Sequence, residues 1–162
     1  MNNFETIYKE NYPRMFSISR KMIADEDAVQ DIIQEIFVSY FQKTKKQNMV
    51  TNPQAWLLRA TINKSIDFLE RKKKHSDLSS IKNMQYEDKN IIEENQKQMM
   101  LRKALNMLSP NEMKIAILYS ESFSYKEISE LSGINFNNIG KTLSRTLQKL
   151  KTILKDMNYD LY

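Results

Sequence analysis

The chain has 162 residues and a formal charge of +5, from 25 basic and 20 acidic side chains, enough for one ordinary domain or two small ones with a modest bias toward nucleic acid. With no cysteine it can hold neither a disulfide nor a thiolate metal site, and a reducing compartment is allowed. Two glycines, three prolines and an abundance of Leu, Ile, Lys, Glu, Gln and Met exclude a β-rich fold, so the expectation is an all-α protein of two small helical domains joined by a flexible linker.

The N-terminal stretch lacks the basic-then-apolar order of a secretory signal, and no apolar run approaches bilayer length, which places the protein in the cytoplasm. Phe4, Ile7, Tyr8 and Tyr12 begin a helical apolar stripe in which Pro13 is a candidate kink or break, and the pattern resumes through Phe16, Ile18 and Met22. Asp25, Glu26 and Asp27 open a second helix with negative charge where the helix dipole favours it. Running to about Lys43, that helix has a broad apolar face of Val29, Ile32, Ile33, Ile36, Phe37 and Tyr40. Gln30, Asp31, Gln34 and Glu35 lie opposite it. By itself such a polar face reads as ordinary solvated surface.

Gln42 to Asn52 breaks the periodicity and carries Lys43, Lys45 and Lys46, so it reads as a basic loop. Asn52 and Pro53 then cap and start a third helix whose spacing buries Trp56, Leu57, Ala60, Ile66 and Leu69. It ends in four consecutive basic residues, Arg71 to Lys74, either a favourable C-terminal charge or, beside a second basic segment, a phosphate track. Residues 76–96 lose the pattern and read as a linker, which would let the two domains move independently. His75 is the single histidine, so a transition-metal or triad role has almost no support.

From Lys97, Leu101, Leu105 and Leu108 form a further helix, and Ser109, Pro110 and Glu112 supply cap, first-turn proline and capping-box partner for the next. Ser124 and Glu127 repeat the capping-box spacing, Ile128 and Leu131 face inward, and Gly133 provides a left-handed stop. Ser129 is the small residue where two helices cross closely. Asn135 caps the last helix, on which Ile139, Leu143, Leu147, Leu150 and Leu154 form the inner stripe. The opposite face carries Asn137, Asn138, Lys141, Thr142, Arg145 and Lys149, donors suited to base edges and phosphates. Glycine, small residue and caps together favour a DNA-binding helix-turn-helix over a plain amphipathic helix pair with a solvated basic face.

These motifs, in this order, resemble a sigma-70-like RNA polymerase sigma factor of the extracytoplasmic-function (ECF) group. Asp31-Ile32-Ile33-Gln34-Glu35-Ile36-Phe37 is similar to the family's core-binding motif, and Trp56, Leu57, Asn63 and Asp67 match its Trp-Leu helix. Leu108-Ser109-Pro110 and Phe123-Ser124-Tyr125-Lys126-Glu127-Ile128 resemble two signatures of its C-terminal domain. Val29 stands where the family usually has alanine, Glu70 where an arginine is common, and Asn138-Ile139-Gly140 where Thr-Val-Lys is common.

The resemblance implies a region-two domain over 1–75, a linker over 76–96, a region-four domain over 97–157 and a tail over 158–162. It implies that Asp31, Gln34 and Glu35 bind core polymerase. Lys43, Lys45, Lys46, Asn63, Lys64, Asp67, Arg71 and Lys72 would hold the melting minus-ten element, where a base read in single-stranded form is flipped into a pocket. Asn137, Asn138, Lys141, Thr142, Arg145 and Lys149 would read the minus-thirty-five element. The implied partners are core RNA polymerase, promoter DNA and, as an option the resemblance leaves open, an anti-sigma factor. No cofactor, metal or catalytic residue is expected, since phosphate loops, ligand clusters and nucleophile motifs are absent from the sequence. The competing readings are a free-standing helix-turn-helix regulator, which would need a dimerisation seam, and a sigma-like decoy that keeps the core-binding face and loses DNA binding.

Overall fold

In the computed structural model the described residues are 3–47, 49–78 and 96–157, and every regular element among them is a helix. Helices α1 (Asn3–Met22), α2 (Glu26–Lys45) and α3 (Pro53–Leu78) form an N-terminal unit. A C-terminal unit is made of α4 (Gln96–Asn106), α5 (Pro110–Ser120), α6 (Tyr125–Ser132) and α7 (Phe136–Asp156).

In the first unit the three helices all touch one another. Met15, Ile18, Met22, Val29, Ile33, Ile36, Leu57, Leu58 and Ile62 are buried between them. Each such side chain contributes roughly 1.5–3 kcal/mol over its exposed state. Pro13 does not interrupt α1, which runs through it as a single element. The seam between α1 and α3 is polar at one point: the hydroxyls of Ser19 and Ser65, both fully buried, hydrogen-bond at 2.9 Å. Small residues there admit a close helix approach, and the mutual bond removes the cost of burying either hydroxyl.

Helix α2 continues to Lys45, so Gln42 to Lys45 is helical rather than part of a loop. Lysines in a last turn suit the negative end of the helix dipole, and Lys, Gln and Thr carry no signal strong enough to stop a helix. Trp56 is half-buried rather than a core anchor, its ring 5.8 Å from that of Tyr40. Helix α3 reaches Leu78, four residues past the end expected at Lys74, and α4 begins at Gln96. The rest of the expected linker, 79–95, and the tail 158–162 lie outside the described residues.

In the second unit α7 is the hub, packing against α4, α5 and α6. Both capping boxes are complete: Ser109 accepts from the Glu112 amide while Glu112 accepts from that of Ser109, and Ser124 and Glu127 do the same. Gly133 caps α6 in the left-handed conformation at φ 78°, and Ser129 Oγ donates to the Ile134 carbonyl at 2.6 Å, fastening the turn. Leu101 is exposed, and α4 buries Ala104 and Leu105 instead. On α7, Leu147 lies largely outside and Thr146 is buried in its place. Steps of four, three and four from Ile139 follow the 3.6-residue helical period, whereas the two steps of four that lead to Leu147 drift off the inner face.

The two units do not stand apart. Helix α1 contacts α4 and α3 contacts α6, and the buried apolar residues of both units form one cluster. The carbonyls left open at the C-terminal end of α1 are taken up from α4: Arg102 donates through Nε and Nη2 to the Arg20 carbonyl at 3.1 and 2.8 Å, and Asn106 donates to that of Met22 at 3.2 Å. Independent domain motion, expected from the sequence, does not describe this arrangement.

Candidate polymerase and nucleic-acid interfaces

Asp31, Gln34 and Glu35 are all exposed on α2, three and four residues apart and therefore on one face, opposite the buried Ile32, Ile33 and Ile36. Beside them the first turns of α1 and the second half of α2 enclose an open groove of about 860 Å³, walled by Phe4, Tyr8, Phe37, Val38 and Phe41 with Gln34 at its edge. The polar face thus borders an aromatic one.

Helices α2 and α3 run antiparallel, and two side-chain contacts show the register. Lys43 Nζ stands 5.6 Å from the centroid of the Trp56 ring, and two turns back Glu35 Oε1 meets Lys64 Nζ at 3.0 Å. An exposed pair of this kind contributes no more than about 1 kcal/mol, so its meaning is positional. It sets a residue expected to bind polymerase against one expected to bind DNA. Asn63, Asp67 and Arg71 recur at every fourth position of α3 and are exposed, as is Lys72, while Lys64 is half-buried. Lys46 caps the C-terminal end of α2, and Lys45 Nζ lies 4.5 Å from the centroid of the Phe41 ring, on the groove side. Of the basic residues expected to act together, Lys43 and Lys64 therefore touch the α2–α3 seam, whereas Lys45 faces the groove.

On α7 the arrangement follows from the cap. Asn135 Oδ1 accepts from the Asn137 amide at 3.0 Å, so the helix begins directly beneath its exposed polar face. Asn137, Asn138, Lys141 and Arg145 are exposed and Thr142 is half-buried. Lys149 is held: its Nζ lies 3.0 and 3.3 Å from the two carboxylate oxygens of Glu112 on α5. The Ser109 amide, through its hydrogen bond, holds the Glu112 carboxyl below its ordinary range against the opposing effect of burial, and Lys149 adds to this. Two exposed aromatics that sequence reasoning left unassigned flank the recognition face. They are Phe136 in its first turn and Tyr125, whose ring edge lies over Gly140, and their only advance signal was a large apolar residue off the inner stripe.

The described residues contain no group of carboxylates and imidazoles placed to hold a metal ion, and none of their helices is long and apolar enough to cross a membrane. Residues 7–75 match the family model described as Sigma-70 region 2, and residues 98–150 match that described as Sigma-70, region 4. The chain belongs to the sigma-70 family of RNA polymerase sigma factors. Its two matched regions and two-unit helical architecture are those of the ECF group, and as a sigma factor it binds core RNA polymerase and promoter DNA and serves transcription initiation. Among solved structures it is similar in fold to the sigma factor RpoE from Bartonella quintana, crystallised in complex with the anti-sigma factor NepR. That match has 22% identity and a TM-score of 0.66, covering 96% of this chain and 98% of the other. No curated protein matches the sigma factor's sequence.

Proposed function

We propose that the sigma factor divides its work between its two units, with residues 1–75 binding core polymerase and the minus-ten element and residues 97–157 reading the minus-thirty-five element. The observation that supports this reading is the 3.0 Å contact between Glu35 and Lys64, which joins the α2 face of exposed Asp31, Gln34 and Glu35 to the polar side of α3. Asp31, Gln34 and Glu35 dock on a basic coiled coil of the polymerase clamp by charge complementarity. Lys43, Lys45, Lys46, Asn63, Lys64, Asp67, Arg71 and Lys72 hold the single strand. In the upstream site Asn137, Asn138, Lys141, Thr142 and Arg145 approach base edges from the first turns of α7, and Lys149 exchanges Glu112 for a phosphate. The sigma factor itself carries out no chemistry and acts in the cytoplasm, where the polymerase makes the bonds. An anti-sigma factor is a fitting further partner, since the similar RpoE structure contains one.

The test is core-polymerase binding and promoter-specific run-off transcription with full-length variants. Glu35→Lys should lower core affinity with helix content intact, while Lys64→Met, which breaks the same ion pair, should leave core affinity unchanged. Arg145→Ala should relax preference at one or two upstream positions, since a bidentate contact to guanine is worth about 1–3 kcal/mol of discrimination. A decoy would bind core and give no run-off product. Equal loss of affinity for every promoter in the Arg145 variant would make that residue a backbone contact.

A further inference from the structure

Phe136 opens the recognition helix with an aromatic ring that lies outside the core. It stands at the first position of α7, directly after the cap Asn135, and is 55% exposed. It belongs neither to the buried cluster nor to the half-buried side chains packed against it. The two positions that staple a helix start are held by Ile134 and Ile139, and both of those pack in the core cluster. A first turn favours acidic side chains or proline, and phenylalanine is a mediocre helix former. Packing, dipole and propensity therefore all leave the ring at 136 without a structural reason.

Its surroundings keep the ring bare. A helical side chain leans toward the N-terminus and covers the turn before its own, so residue 140 is the one that would lie over Phe136. That residue is Gly140, which has no side chain to lay there. The Tyr125 ring, at the start of α6, comes within 3.5 Å of where a Cβ at 140 would stand and is itself 45% exposed. Phe136, the uncovered backbone at Gly140 and the Tyr125 ring thus form an apolar strip along the recognition face. Exposed Asn137 and Lys141, their next neighbours on α7, border it.

In the major groove base edges present donors, acceptors and one apolar group, the C5-methyl of thymine. Phenylalanine in the first turn of a recognition helix is placed to meet such a methyl, and asparagine beside it suits the adenine of an A·T pair. We propose that Phe136 is a specificity-determining residue that reads a thymine of the upstream promoter element by packing its ring on the C5-methyl, next to the polar contacts of Asn137 and Asn138. The inference rests on the placing of α7 in the upstream major groove and adds to it an apolar contact that its donors cannot make.

Uracil isolates that contact, because it keeps every hydrogen-bonding group of thymine and lacks only the methyl. Holoenzyme made from full-length sigma factor and core polymerase first selects promoter duplexes from a pool randomised over the upstream element. Each thymine of the selected element, on either strand, is then replaced singly by uracil. One such replacement should weaken wild-type holoenzyme about fourfold, the effect of burying one methyl group. Phe136→Ala should bind the thymine duplex about as weakly as wild type binds the uracil one, and should be indifferent to that uracil. Phe136→Leu, which keeps an apolar side chain, should retain part of the discrimination, and affinity for core polymerase without DNA should be the same in all three. Equal uracil penalties in wild type and Phe136→Ala at every position, or a selected element without thymine, would overturn the proposal. So would a loss of core affinity in Phe136→Ala, which would make the ring a polymerase contact. Arg145→Ala on the same pool keeps the two levels apart. Relaxed preference in that variant with no uracil effect would overturn the role of Phe136 alone, whereas unchanged preference in both variants would overturn the placing of α7 as well.

Discussion

Lys149 illustrates how a single side chain is committed before any ligand arrives. It is half-exposed on the recognition helix, yet its ammonium is shared with Glu112, whose carboxylate is already engaged in capping α5. Since Glu112 titrates lower in the folded chain than the ordinary 4.5, the folded state favours its ionised form. The resulting stability is fully present above the unfolded value and is lost as pH falls through the folded one. A thermal-denaturation series between pH 6 and pH 3 should therefore show a shallower acid loss in Glu112→Gln than in the wild type, with Lys149→Met in between. Identical slopes in all three would mean that the cap and the ion pair are energetically silent. Glu121 shows the same logic across a longer distance, its carboxylate accommodated by cations from a helix about a hundred residues earlier in the chain.

At the level of elements, the helix-turn-helix depends on two glycines that do opposite things. Gly133 sits at φ 78° with no atom within 4 Å of where a Cβ would stand, so the cost of a side chain there is conformational and not steric. Gly133→Ala should destabilise the chain by about 1–2 kcal/mol. Gly140 is in the body of α7, and a Cβ there would make an ordinary 3.5 Å contact with the Tyr125 ring. Gly140→Ala should instead add about 1 kcal/mol through helix propensity. Chemical denaturation with an unchanged slope measures both. If the two substitutions shift the midpoint in the same direction, the turn is not held by its left-handed residue. The two capping boxes bracket the same region, satisfying amide groups at the starts of α5 and α6 that packing alone would leave open.

For the molecule as a whole, the decisive feature is that α1 belongs to both units. It buries Met15, Ile18 and Met22 in the cluster shared with α2 and α3, and it offers its outer face and C-terminal carbonyls to α4 and the α5–α6 turn. Calorimetry on the full chain should accordingly give one cooperative transition at low salt. That transition should split into two when Glu121→Gln is combined with high ionic strength. Two transitions in the wild type at low salt would show that the shared cluster contributes too little to couple the units.

How much of this was legible in advance depended on the range of the interaction. Helix starts and stops were readable because caps act within three or four residues: Asp25, Ser109, Ser124, Gly133 and Asn135 all do what their positions imply. The exposed polar faces of α2 and α7 were readable for a similar reason, since helical periodicity alone separates Glu35 from Ile36 and Arg145 from Leu143. The sequence motifs were enough to name the family. What the sequence could not carry were contacts without a period. The Ser19–Ser65 bond, the Glu35–Lys64 pair, and the meeting of Arg14 and Lys21 with Glu121 join residues through crossing angles and small rotations. A serine or glutamate at those positions looks like any surface residue until two helices meet over it. Sequence therefore determined which faces each helix offers, and tertiary packing alone decided which of those faces meet each other, because local backbone preferences have no knowledge of a partner a hundred residues away.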